Sequence, residues 1–154
     1  MDHTLDHYNL QILQLLQHDA RLTNREIAKT IGKSVSPVFE RIKKLQESGY
    51  IKQFVTILDG KRMNKGLTVF TNIRLKAHAR DMMLAFEHDI VRCDEVMECF
   101  HMTGEYDFLL KIAVRDMDAY HDFVLNRLSK LPNVAAVRSF FVMKEAKCQT
   151  AYPL

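Results

Sequence analysis

Apolar residues recur at helical spacing through the first third of the chain and then change rhythm. Leu5, Tyr8, Ile12, Leu15 and Leu16 form one stripe, so residues 5–19 read as an amphipathic helix. Asp19-Ala20-Arg21 breaks that stripe. Thr23 and Glu26 then have the form of a capping box, in which the hydroxyl accepts from the third helical N–H and the carboxylate reaches back. This predicts a short helix over 24–31 that buries Ile27, Ala28 and Ile31, with Gly32 suited to a left-handed position at its end. Ser34 is a candidate N-cap for a third helix over about 35–48, with Val38, Ile42 and Leu45 facing inward and Gly49 as its stop. Residues 50–58 read as extended.

The polar stretch 59–66 carries two glycines and no apolar period, so it reads as a linker. Beyond it the pattern predicts a strand over 67–76, a helix over 80–90, strands over 96–102 and 106–114, a helix over 117–131 and a last strand over 134–143. Thr103-Gly104-Glu105 is the turn between the two middle strands. The order βαββαβ is that of a ferredoxin-like sheet, with two helices on one face and the other face uncovered. Phe70, Val96, Phe108, Phe140 and Val142 are candidates for one face or the other. An uncovered apolar face predicts a partner, most simply a second copy of the chain. The expected class is therefore α+β. A helix-turn-helix domain of winged-helix-like type occupies 1–58, the linker 59–66, and the sheet domain 67–154.

Composition fits this picture. Over 154 residues, 47% are hydrophobic and 27% charged, which is globular rather than disordered. No apolar run approaches the ~20 residues of a membrane span, and the N-terminus has neither a basic nor an apolar signal region. Cys93, Cys99 and Cys148 show no CxxC spacing, which argues against a disulfide scaffold or zinc finger. A cytoplasmic protein with reduced thiols is expected.

The net charge of +3 is unevenly spread. Between Lys29 and Lys52 stand Lys29, Lys33, Arg41, Lys43, Lys44 and Lys52 against only Glu40 and Glu47. Three short helices with a tight turn and a basic third helix describe a helix-turn-helix whose third helix enters the major groove of duplex DNA. Arg41, Lys43 and Lys44 are then candidates for phosphate or guanine contacts. Ser34, Ser36 and Glu40 are candidates for base or water-mediated contacts. Asn24 and Arg25, at the start of the second helix, would meet the DNA backbone, and Lys33 lies at the DNA-facing end.

Other chemistry has little support. His78, His88, His101 and His121 are scattered, without HxxxH or HExxH pairing. Cys99 and His101 share a strand face, but two ligands are fewer than zinc needs, so no metal is expected. There is no GxSxG, P-loop or GxGxxG, and no catalytic residue is assigned.

Several stretches in order resemble the Lrp/AsnC family, the feast/famine regulators, over about residues 5–148. Leu5-Asp6-His7-Tyr8-Asn9-Leu10-Gln11-Ile12-Leu13 is similar to the family's LDxxDxxIL opening, and Asp19-Ala20-Arg21-Leu22-Thr23-Asn24 to its DgRxs segment. Residues 34–51, with Ser34, Val38, Arg41, Leu45, Gly49 and Ile51, resemble its recognition helix and exit. Thr103-Gly104-Glu105-Tyr106-Asp107 resembles its tGxyD hairpin. Leu131-Pro132-Asn133-Val134 and Val142-Met143-Lys144-Glu145 also fit. Lys33 departs from the family's usual apolar turn residue, Asn9 from its Asp, and Val35 from a common Pro.

The resemblance implies a transcriptional regulator that dimerises and assembles further, often to octamers, with no cofactor. It implies a C-terminal RAM domain that takes a small amino acid between dimers near Thr103, Gly104, Tyr106 and Asp107. Glycine allows close backbone approach, and a carboxylate suits an α-ammonium group. Hairpin chemistry alone would also account for Gly104 and Asp107. Two alternatives stand beside this reading. One is a ligand-independent DNA-binding or architectural protein. The other is an enzyme resembling the sirohaem decarboxylases, which share the architecture and would call on His101 and His121.

Overall fold

Residues 5–154 are described by a computed structural model, and they fall into two units. The first four residues of the expected 1–58 domain lie outside the described residues. One unit runs up to Ile57 and includes Lys147–Leu154; the other is Leu58–Ala146.

The first unit is built on three helices, α1 (His7–His18), α2 (Asn24–Ile31) and α3 (Val35–Glu47). Asp6 caps α1 by accepting from the Asn9 N–H at 2.8 Å. The capping box of α2 is complete. Glu26 N–H donates to Thr23 Oγ1 at 3.3 Å, and Thr23 N–H donates to Glu26 Oε2 at 2.8 Å. Gly32 ends α2 at φ 67°, where an L side chain is strained, and the Lys33 N–H then reaches the Ala28 carbonyl at 2.9 Å. Ile12, Leu16, Ile27, Ala28, Ile31, Val38 and Leu45 form the core, with Ile42 and Leu22 packed against it. Residues 50–58 form no ladder, and they leave Phe54, Val55, Ile57 and Leu58 exposed.

The C-terminal residues 147–154 belong to this first unit, whereas the expected boundary had put them with the sheet domain. They lie on α1. Gln17 Oε1 accepts from the Tyr152 N–H at 2.7 Å, Gln17 Nε2 donates to the Tyr152 carbonyl at 3.2 Å, and Gln14 Nε2 donates to the Leu154 carbonyl at 2.5 Å. Side-chain amides on a helix have no sequence period, so pattern reading could not place this segment.

The second unit is an antiparallel sheet of β1 (Leu67–Leu75), β2 (Val96–His101), β3 (Phe108–Val114) and β4 (Val134–Phe141), in the order β2-β3-β1-β4. Helices α4 (Arg80–Ile90) and α5 (Met117–Asn126) follow β1 and β3 in the chain. The segment 59–66 is a hydrogen-bonded turn at the start of this unit, with Asp59 Oδ1 accepting from the Lys61 and Arg62 N–H groups at 2.9 and 3.2 Å.

Alternation sorts the sheet faces. Val69, Ile73 and Leu75 of β1 and Phe108, Leu110, Ile112 and Val114 of β3 are buried with Phe86, Ile90, Tyr120, Phe123 and Leu128. Phe70, which pairs with Phe140 and Lys111, lies on the other face, as does Leu109, which pairs with Phe100. Phe100 and Phe140 are exposed there. The helix expected over 117–131 stops at Asn126 and resumes as a 3-10 turn, Leu128–Lys130, because Arg127 (φ −119°, ψ −68°) bends the chain and Leu128 is fully buried. One polar chain crosses the core: Thr71 Oγ1 and Tyr120 Oη are 2.9 Å apart, and Tyr120 Oη and Ser139 Oγ 2.5 Å.

Candidate nucleic-acid interface and hairpin site

The outward face of α3 is what remains after Val38, Ile42 and Leu45 turn inward. Ser36, Glu40, Lys43 and Lys44 are exposed, as are Arg25, Lys33 and Ser34, while Asn24 is half-buried. Ser34 occupies the N-cap of α3, but its hydroxyl makes no bond to the helix terminus. The Lys43 ammonium is 3.9 Å from Glu47 one turn on, an exposed pair of little energetic weight.

Arg41 has partners that the sequence did not suggest. Its Nη1 donates to Asp6 Oδ2 at 2.7 Å and to Asn9 Oδ1 at 2.8 Å, tying α3 to the start of α1. The Asn9 N–H, and after it the Arg41 guanidinium, hold the Asp6 carboxyl below the usual carboxylate range. Two cations approach the Tyr8 ring, Lys33 Nζ at 4.2 Å and the Arg41 guanidinium carbon at 5.7 Å from its centroid. A charged Lys33 is thus accommodated where an apolar turn residue was the expectation. Asn9 departs from the acidic residue of the resemblance, yet its amide oxygen still serves as an acceptor for Arg41. A cleft of about 370 Å³ opens beside this lock, lined by Leu5, Asn9, Pro37, Glu40, Arg41 and Lys44 among others.

In the second unit, Thr103, Gly104 and Glu105 form an exposed turn, with Gly104 at φ 121°. Such a φ requires glycine, although no neighbouring atom crowds its Cβ position. Asp107 is only 15% exposed in its side chain and already engaged. Its Oδ2 accepts from the Leu75 N–H at 2.7 Å, and its Oδ1 faces His78 Nε2 at 3.0 Å. The carboxylate therefore closes the strand end where β1 shifts register against β4. Tyr106 is half-buried.

Two residues that the sequence reading left without a role stand close to these in the hydrogen-bond network. His78 meets Asp107, and Asn133, at φ 72°, exchanges two side-chain hydrogen bonds of 2.8 Å with the Ala77 backbone. The Leu-Pro-Asn-Val motif was the available signal for Asn133. Nothing in spacing pointed to His78.

Other candidate chemistry is dispersed. His101 stacks on Phe108 at 5.1 Å, and His121 is an exposed residue of α5. Burial, with Glu87 adding to it, pushes the Cys99 thiol up to about 11. Among the described residues no group of three or more His, Cys, Asp or Glu side chains is gathered to hold a metal, and no helix is long and apolar enough to cross a membrane.

A helix-turn-helix with a basic outer face, followed in the chain by a βαββαβ sheet, defines the class of a DNA-binding regulator with a second, ligand-type domain. Comparison with known families agrees. Residues 5–52 match a winged helix-turn-helix DNA-binding family, and residues 68–152 match the Lrp/AsnC ligand binding domain. The chain is 37% identical over 150 residues to the Bkd operon transcriptional regulator of Pseudomonas aeruginosa, covering 97% of this chain and 98% of that one. It is 35% identical over 143 residues to the leucine-responsive regulatory protein of Escherichia coli, covering 93% and 87%. A transcriptional regulator of Neisseria meningitidis, solved as a complex with L-methionine, superposes with a TM-score of 0.92 at 37% identity over 97% of each chain. The chain belongs to the Lrp/AsnC family of transcriptional regulators.

Proposed function

We propose that this regulator binds DNA sequence-specifically as a dimer, assembles further toward octamers, and takes a small amino acid between dimers beside the 103–107 hairpin. The observation that carries the reading is one chain joining a helix-turn-helix with an exposed basic face to a sheet with an uncovered apolar face.

Helix α3 enters the major groove. Lys43 and Lys44 neutralise phosphates, and Ser34, Ser36 and Glu40 meet base edges directly or through water. Asn24, Arg25 and Lys33 meet the DNA backbone. Arg41 acts chiefly as a positioning residue, since its Nη1 is held by Asp6 and Asn9. A second copy covers Phe70, Phe100, Leu109 and Phe140. Two heads on one dimer then reach half-sites about one helical turn, or a multiple of it, apart.

In the hairpin site, Gly104 lets a ligand carboxylate approach backbone N–H groups between Thr103 and Tyr106. The α-ammonium takes the place of His78 at Asp107 Oδ1, while Oδ2 keeps the Leu75 N–H. The L-methionine bound to the Neisseria regulator supports the amino-acid class. The ligand shifts assembly only by its difference in affinity between states. The protein acts in the cytoplasm and is not an enzyme.

Sedimentation velocity of the protein alone and with each of the twenty amino acids tests this reading. The expected result is a dimer or larger species whose mass distribution shifts with one chemical class. Asp107→Ala loses that shift while keeping DNA binding. A monomer, or an Asp107→Ala protein that responds normally, contradicts it.

A further inference from the structure

We propose that Val35 and Phe39 read thymine methyl groups in the major groove and so act as specificity-determining residues. The proposal rests on the DNA-binding reading above and names two residues outside the polar set from which that reading was built.

Both are apolar, and neither is used by the core. Val35 is 45% exposed and Phe39 51% exposed, whereas Val38 beside them is 1% exposed. They stand four residues apart on α3, so their side chains adjoin. Phe39 is also three residues from Ser36 and four from Lys43, which places the apolar pair on the same outward face as those polar groups. Arg41 points elsewhere, to Asp6 and Asn9.

An exposed phenyl ring gains free energy only when something covers it. The surroundings select the cover. Exposed Arg25, Lys29, Lys33, Lys43 and Lys44 share α2, the turn and α3 with the pair. That charge attracts a polyanion and repels a second copy of the same basic head. Within the major groove the apolar group on offer is the thymine C5-methyl, and phenyl and small aliphatic side chains are suited to it. Ser36 and Glu40, alongside, supply the hydrogen-bonding part of the readout.

The test uses the full chain and a duplex selected by it from a random pool. Each thymine is replaced singly by deoxyuridine, which removes only the methyl. At one or two positions per half-site the affinity should fall about fourfold, as expected for losing one buried methyl-sized group. Phe39→Ala should lose affinity for the thymine duplex and become indifferent to the methyl at that position, so that the two losses do not add. Phe39→Leu should keep part of the discrimination. Far-UV circular dichroism checks that the variants fold, as expected for an exposed position.

Selective binding by the wild type with indifference to every thymine-to-deoxyuridine change overturns the proposal and leaves the DNA-binding reading intact. Absence of selective DNA binding overturns both. Indifference to the methyls together with a lower sedimenting mass for Phe39→Ala without DNA makes the patch a contact between copies and overturns the proposal.

Discussion

Replacing Arg41 with alanine separates two roles for the most confined cation of α3. The side chain is 33% exposed, and its Nη1 bridges Asp6 and Asn9 at 2.7 and 2.8 Å. Hydrogen bonds to charged groups contribute about 1.5–3 kcal/mol each when shielded. Asp6 is 46% exposed, so solvent screening reduces the pair strongly, and about 1–2 kcal/mol in total is the appropriate scale. For a unit of this size, about 4–8 °C of melting temperature accompanies each kcal/mol, so the transition of the helical unit should fall by about 5–15 °C. Scanning calorimetry, or circular dichroism at 222 nm, reads this directly. DNA binding supplies the second readout. If Arg41 neutralises no phosphate, Arg41→Ala leaves the slope of log Kobs against log salt unchanged, although affinity falls. Lys43→Ala should reduce the slope by about 0.9. An unchanged melting temperature combined with a slope reduced by about one phosphate would refute the reasoning and return Arg41 to the DNA.

Two further outcomes follow from the packing and caps. Tyr120→Phe removes the partner of the fully buried Thr71 hydroxyl and should cost about 1–3 kcal/mol in chemical denaturation. Adding Thr71→Val should recover part of that loss, because the unpaired group is then gone. Acid should loosen the helical unit through two capping carboxylates. The Asn9 N–H holds the Asp6 carboxyl below the ordinary range, and the Thr23 N–H, then its hydroxyl, does the same for Glu26. Both folded values are depressed, so this stabilisation is present above the ordinary carboxylate range and is lost as pH falls through and below it. Melting temperature should be flat from about pH 7 to pH 5 and fall below about pH 4, with Glu26→Gln flattening part of the fall.

Periodicity carried most of the backbone because both units segregate their faces strictly. The stripe through Ile27, Ala28 and Ile31 and the alternation of Val69, Thr71, Ile73 and Leu75 each reflect one buried side, and the boundaries of α2 and α4 coincide with the expected ones. The departures share a different cause. Where the 117–131 helix breaks, the burial of Leu128 outweighs helical continuity, and no local residue announces that. The 147–154 segment is placed by Gln14 and Gln17, whose amides bond residues far away in sequence. In the candidate sites the residue types were legible and their partners were not. Arg41 read as a cation for DNA because sequence counts charge and cannot see Asp6 beside it. Asp107 read as a ligand carboxylate, yet one oxygen closes β1 and the other faces His78, a long-range pairing invisible to spacing. Phe39 escaped notice for the opposite reason. An apolar residue on a helix is read as core until its exposure is known.

Sequence-specific binding of duplex DNA by α3 and the basic groups around it is the core of the proposed function. The most direct test is equilibrium fluorescence anisotropy of the full chain on a selected duplex and on a scrambled one, titrated across salt. Binding should be tighter to the selected duplex, log Kobs should fall steeply with log salt, and each of Lys43→Ala and Lys44→Ala should remove about one phosphate from that slope. Equal affinity for both duplexes, or a slope that neither substitution changes, would contradict it.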